Sequence, residues 1–197
     1  MEGRGILTID IPLYQALIQH RKTEQASLHM PGHKGKADCL APLTDILGFD
    51  VTELPSTGSL FDAEGPTLLA EEAATRAFKT AGTFFSAGGC TLCIQAMLRL
   101  IAPSGGKIIM DRVVHRSAVN AMALLNLTPI WVWPRQDAGP GLAGRMNAQD
   151  VADALQKNPD ARAVYLTSPD YYGVMSDLHA ICAQATKYQV PVIVDSA

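Results

Sequence analysis

The sequence lacks a long apolar run, a large net charge and a dense set of cysteines. Charged side chains interrupt the apolar stretches of the first thirty residues, which excludes a signal peptide and a membrane span there. A net charge of −3 over 197 residues gives no reason to expect nucleic acid or a membrane as partner. Four cysteines are too few for a disulfide framework, so we expect reduced thiols and a cytoplasmic protein.

The composition is that of a folded protein, since 48% of the residues are hydrophobic and can bury a substantial core. There are no internal repeats and no low-complexity segments. Prolines interrupt the chain up to Pro66, and only residues 13–21 of that part have a helical pattern. We therefore predict an amino-terminal segment over residues 1–66 and a regular domain over residues 67–197.

Within the second part, helical patterns alternate with short apolar runs, as in βα units. The predicted strands are residues 83–87, 107–111, 129–133, 162–166 and 191–195. The predicted helices cover residues 67–80, begin near Thr91, and start at Asn147 and at Asp177, which are suitable N-caps. This alternation predicts an α/β fold with a mainly parallel sheet and flanking helices.

Ligands of such sheets bind beyond the carboxyl ends of the strands, and four of the five predicted ends carry suggestive residues. Gly88 and Gly89 lead from a predicted strand into a helix at Cys90 and Thr91. Free amides and a hydroxyl there suit a phosphate, although such a junction is often only a tight turn. Asp195 follows a run of buried β-branched residues, so its carboxylate needs a cationic partner such as a protonated pyridine nitrogen.

Two further strand ends are ambiguous when taken alone. His115 follows the strand that ends at Asp111, and a histidine in that place is more often a capping or solvent-facing residue than a catalytic one. The loop over residues 167–173 is rich in turn residues, whose hydroxyls either contact a ligand or complete turns.

Several motifs together resemble the ornithine/lysine/arginine decarboxylase family over nearly the whole chain. The most specific is the PGHKG motif at residues 31–35. The other matching segments are residues 50–54, 58–62, 65–66, 83–85, 89–91, 115–117, 169–173 and 195–197.

The resemblance implies a fold-type I large domain that binds pyridoxal 5'-phosphate (PLP) and no metal. Thr91 and the backbone of Cys90 would hold the phosphate, and His115 would stack on one face of the pyridine ring. Ala197 would pack on the opposite face, and Asp195 would bond the pyridinium nitrogen and make the ring an electron sink. The implied activity is decarboxylation of arginine, lysine or ornithine in polyamine metabolism, by a homodimeric enzyme when full length.

The chain departs from the family pattern at several positions. Cys90 replaces a hydroxyl residue, Arg116 replaces a lysine, and Asp170 replaces the threonine of a PTY motif. The family's cofactor lysine and two closing strands lie beyond residue 197. We therefore expect an incomplete carboxyl-terminal end of the domain, an unpaired segment at residues 83–87, and poor folding and no activity for these residues alone. The pattern begins without a receiver-like wing, as in the wingless subgroup.

Four alternative interpretations compete with membership of this family. Cys90 and Cys93 have the spacing of a redox CxxC motif but lack its usual flanking residues. A zinc site would need further ligands, and Cys39 and Cys182 have no partner at metal-binding spacing. A non-catalytic remnant, or a subunit completed by another chain, would explain the missing lysine. Another fold-type I enzyme, such as an aminotransferase or aldolase, is the nearest enzymatic alternative.

Overall fold

The computed structural model describes residues 10–23, 26–36, 44–62, 64–135 and 139–196. The chain divides into two compact units, Met1–Phe85 and Ser86–Ala197. These units are defined by compactness. The predicted boundary between an amino-terminal segment, residues 1–66, and a PLP-binding domain, residues 67–197, is a separate statement and stays a prediction.

The first unit contains three helices in its described part: α1 (Pro12–Arg21), α2 (Thr44–Leu47) and α3 (Gly65–Phe78). Pro12 opens α1, where its missing N–H costs nothing, and α3 ends at Lys79 in the left-handed conformation. The helices α1 and α3 pack against each other. The short helix α2 was not predicted, because four residues leave no periodic signal in the sequence.

The PGHKG motif makes a local hydrogen-bonded turn in this unit. His33 accepts a hydrogen bond from the amide of Gly35 through Nδ1 at 3.0 Å, and its Nε2 lies 3.1 Å from the Asp50 carboxylate. The Lys34 ammonium donates to the carbonyl of His29. The motif therefore ties its own loop to the segment that begins at Asp50.

The second unit is a four-stranded parallel sheet with the strand order β2-β1-β3-β4. Its strands are β1 (Gly106–Asp111), β2 (Leu127–Val132), β3 (Ala163–Thr167) and β4 (Val192–Asp195). Its helices are α4 (Gly89–Ile101), α5 (Arg116–Leu125), α6 (Ala148–Lys157) and α7 (Leu178–Lys187). The predicted α/β fold with a parallel sheet is confirmed, as are the N-caps Asn147 and Asp177.

Two hydrophobic clusters cover the two faces of the sheet. Ile108 and Met110 pack with α4 and α5, whereas Ile109 between them packs with α6 and α7. This alternation follows from the two-residue period of a strand. Because both faces are covered, the strands consist largely of buried apolar residues.

The strand predicted over residues 83–87 is wrong. Residues 82–86 form no regular secondary structure, and none of the described strands pairs with them. A strand is stabilised by hydrogen bonds to a neighbouring strand, and apolar character alone cannot replace them. The amide of Phe85 instead donates to the buried carboxylate of Glu71 at 2.8 Å. The segment is thus unpaired, as expected from the sequence.

Candidate functional site

A cavity of about 500 Å³ lies where the carboxyl ends of β1, β3 and β4 meet the first turns of α4 and α5. Parallel strands bring their carboxyl ends to one edge, so residues far apart in sequence become neighbours there. The lining residues are Cys90, Thr91, Ile94, Val113, Val114, His115, Arg116, Thr167, Pro169, Asp170, Tyr171 and Asp195. The cavity contains every site residue predicted from the sequence except Ala197, which lies outside the described residues.

The first turn of α4 presents Cys90 and Thr91 to the cavity. Gly88 occupies the N-cap position and provides no side-chain cap for the amides that follow. Gly89 has a φ of 65°, and nothing lies within 4 Å of the place where a Cβ would stand. The helix start is therefore open, with backbone donors and the Thr91 hydroxyl available to an anion.

His115 is the N-cap of α5. Its Nδ1 accepts a hydrogen bond from the amide of Ser117 at 3.3 Å and lies 2.8 Å from the Ser117 hydroxyl. Because Nδ1 accepts from the backbone, the neutral ring carries its proton on Nε2. The capping role that the sequence favoured is therefore present, and the same cap fixes the ring at the wall of the cavity.

Asp195 ends β4 and is buried. Its Oδ2 accepts a hydrogen bond from the hydroxyl of Tyr165, at 3.3 Å, and its backbone carbonyl accepts from the amide of Ser168 at 2.9 Å. Tyr165 was missed in the sequence, since a tyrosine inside an apolar strand has the pattern of an ordinary core residue. Burial and the Asp195 carboxylate raise the pKa of the Tyr165 hydroxyl, which therefore stays a neutral donor.

The end of β3 and the loop that follows it each contribute one polar atom that has no hydrogen-bond partner among the described residues. They are the hydroxyl of Thr167 and Oδ2 of Asp170, and both are buried. The other oxygen of Asp170 accepts from the amides of Tyr172 and Val174, each at 2.8 Å, so the loop holds this carboxylate in place. The turn-rich sequence had suggested these residues without deciding between turn and ligand contact.

Asp111 lies at the end of β1 and was not predicted as a site residue. It is 3% exposed, and its Oδ1 accepts from the amide of Val113 at 3.0 Å. Burial raises the pKa of the Asp111 carboxyl to about 6, and the charge of Asp170 acts in the same direction, while the Val113 amide opposes the rise. Asp111 does not line the cavity, but it contacts the lining residue Val113 and is partly protonated near pH 6.

The described part of the chain contains no group of three or more His, Cys, Asp or Glu side chains arranged to bind a metal ion. Within that part, Cys90, Cys93 and Cys182 are free thiols, whereas Cys39 lies outside it. None of the described helices is long and apolar enough to cross a bilayer. No lysine is among the described residues that line the cavity.

The chain is similar in sequence to known decarboxylases. The profile described as "Orn/Lys/Arg decarboxylase, major domain" matches residues 11–197. The uncharacterized protein YaaO of Bacillus subtilis is 33% identical over 193 residues, which are 96% of this chain and 40% of YaaO. An arginine decarboxylase of Bacillus cereus is 31% identical over 194 residues, which are 95% of this chain and 42% of that enzyme.

Solved structures show the same fold. The lysine decarboxylase LdcF of Francisella novicida superposes with a TM-score of 0.82 at 21% identity, over 96% of this chain and 29% of LdcF. The superposition on LdcF confirms the fold class predicted from the sequence, an α/β domain with a mainly parallel sheet. The chain spans about two fifths of the length of the curated relatives it matches.

Proposed function

The chain belongs to the Orn/Lys/Arg decarboxylase family, and from that premise we propose that the complete protein is a PLP-dependent carboxy-lyase acting on a basic amino acid. Arginine, lysine and ornithine are the candidate substrates. The amine product of each is a polyamine or a polyamine precursor, which places the reaction in polyamine metabolism.

One observation carries the proposal. Cys90, Thr91, His115 and Asp195 come from three distant segments of the sequence, and all four line one cavity. The family resemblance assigns these same residues to the cofactor. The donor set also fits PLP, because an open helix start suits its phosphate and a buried carboxylate suits its ring nitrogen. The Thr167 hydroxyl, which has no partner among the described residues, adds a polar group that a ligand can satisfy.

Each residue has a defined task in this proposal. Thr91 and the first amides of α4 bind the phosphate, and Cys90 contributes its backbone. The His115 ring, fixed by its bond to Ser117, stacks on the pyridine ring. Asp195 pairs with the ring nitrogen and holds a proton there. The family resemblance assigns Ala197, which lies outside the described residues, to the opposite face of the ring. When bound, PLP supplies an electron-poor ring that accepts the electron pair released as the substrate carboxylate leaves as carbon dioxide.

The lysine that binds PLP covalently is supplied from outside the residues that line the cavity, since that lining includes none. We propose that the present residues alone are inactive for this reason. The same observation favours a second candidate function, in which the chain is a non-catalytic subunit completed by another polypeptide. The proposed active protein is cytoplasmic and homodimeric, with a PLP-binding large domain that begins near residue 67.

The test is the release of carbon dioxide by the full-length protein. Purified protein is incubated with PLP and with arginine, lysine or ornithine in turn, and the amine product is identified by mass. We expect one of the three substrates to be decarboxylated, and the variant Asp195→Asn to lose activity by at least about 100-fold. The matched control is Asp153→Asn, an exposed aspartate on α6 that should retain full activity.

No amine product from any of the three would refute the proposal. Transamination without loss of carbon dioxide would instead identify another fold-type I activity. Activity that appears only after a second polypeptide is added would favour the complemented subunit.

A further inference from the structure

Tyr165 has the largest side chain among the fully buried residues and is 0% exposed at the centre of β3. It belongs to the apolar cluster between the sheet and the helices α4 and α5, together with Ile108, Met110 and Ile193. Ile193 precedes Asp195 by two residues, so both point to the same face of the sheet. Tyr165 thus approaches Asp195 from beneath the cavity.

Packing alone does not account for the hydroxyl of this side chain. Phenylalanine would fill the same apolar space and avoid the cost of burying a polar group. The hydroxyl is instead satisfied by Oδ2 of Asp195 at 3.3 Å. Tyr165 does not line the cavity, whereas Asp195 does. The hydrogen bond therefore connects the core of the sheet to one side chain of the candidate site.

We infer that Tyr165 is a positioning residue, whose hydroxyl fixes the orientation of the Asp195 carboxylate toward the nitrogen of a bound pyridine ring. The carboxylate of an aspartate can rotate about its terminal side-chain torsion, because the distribution of that torsion angle is broad. Holding one oxygen from below restricts the rotation before the ligand arrives, so less freedom is lost on binding. The inference rests on the proposed function, because PLP provides the ring nitrogen.

The test compares PLP with its analogue in which the ring nitrogen is replaced by CH. The dissociation constants of both ligands are measured by absorbance titration of the full-length apoprotein. The variants are Tyr165→Phe, Asp195→Asn and the two combined. Tyr188→Phe is the matched control, since Tyr188 follows α7 and does not line the cavity.

We expect Tyr165→Phe to weaken PLP binding about tenfold and to leave binding of the analogue within about twofold. In the Asp195→Asn background, Tyr165→Phe should have no further effect on PLP, because the two residues act through one contact. Tyr188→Phe should bind both ligands as the parent protein does.

Equal losses of affinity for PLP and for the analogue would overturn the inference and leave Tyr165 as a core residue. Additive effects of the two substitutions on PLP affinity in the double variant would do the same. Unchanged PLP binding by Tyr165→Phe would overturn it as well. If the parent protein does not bind PLP at all, the proposed function fails and the inference fails with it. These outcomes distinguish the failure of the positioning role from the failure of the function.

Discussion

Replacing Asp111 by asparagine is expected to stabilise the protein near neutral pH and to leave its stability at acidic pH nearly unchanged. The folded state raises the pKa of this carboxyl from 3.8 to about 6, mainly through burial. The folded protein therefore holds the proton more tightly than the unfolded chain does. Stability contributed by the protonated carboxyl is present below pH 4 and is lost as the pH rises from about 4 to about 6.

The magnitude follows from the difference between the two pKa values. A shift from 3.8 to about 6 corresponds to about 3 kcal/mol between the acidic and neutral limits. Asparagine has nearly the same shape and keeps an oxygen that can accept from the amide of Val113, at 3.0 Å in the parent. The free energy of unfolding at pH 7.5 should therefore increase by up to about 3 kcal/mol in Asp111→Asn. The increase stays below this limit because the asparagine side chain must still be desolvated on folding.

Urea denaturation of the full-length protein, followed by tryptophan fluorescence, measures this effect directly. Trp131 and Trp133 flank Val132, the residue paired with Asp111, and therefore report on this part of the sheet. The free energies of unfolding of the parent and of Asp111→Asn are compared at pH 4, 6 and 7.5. Asp153→Asn serves as the exposed control and should change stability by less than about 0.5 kcal/mol. A difference between parent and Asp111→Asn that does not grow with pH would refute the reasoning.

Three further substitutions test local features of the structure. Cys90→Ser should tighten PLP binding several-fold, because a hydroxyl is a stronger donor than a thiol, and unchanged or weaker binding in a titration would contradict this. Asp177→Ala removes the acceptor of the Ala180 amide, at 2.9 Å, and should cost about 1 kcal/mol in urea denaturation, whereas Asp177→Ser should retain most of the stability. Gly58→Ala places a Cβ 2.6 Å from the Glu64 carbonyl at a φ of 77° and should lower the thermal midpoint measured by circular dichroism. Gly32→Ala, with nothing within 4 Å, is its control and should leave the midpoint nearly unchanged.

The regular part of the fold could be predicted because local signals and tertiary packing agree there. Asn147 and Asp177 are caps in both the sequence pattern and the structure, and the buried strands are continuous apolar runs. Residues 83–87 have the same apolar character but no partner strand among the described residues. Pairing is a property of the neighbours, so the apolar pattern of the segment indicated a strand, and only the family resemblance indicated that its partner strands are absent.

The site was predictable only in part, for a similar reason. Cys90, Thr91, His115 and Asp195 stand directly at strand ends or helix starts, where position along the chain indicates position in the fold. Tyr165 reaches Asp195 only because of the register between β3 and β4, in which Thr167 pairs with Asp195. The sequence does not specify this register, so the role of Tyr165 could not be predicted.

Asp111 was missed for a different reason. Its raised pKa depends on burial and on Asp170, which follows it by 59 positions along the chain but lies close to it in the fold. Long-range electrostatics of this kind have no local sequence signal.

The most direct test of the central claim is a crystal structure of the full-length protein with PLP. We predict that the phosphate lies at the first amides of α4 and the Thr91 hydroxyl, with the His115 ring parallel to the pyridine ring. We also predict the ring nitrogen within about 3 Å of the Asp195 carboxylate. PLP bound elsewhere, or with its nitrogen turned away from Asp195, would contradict the account.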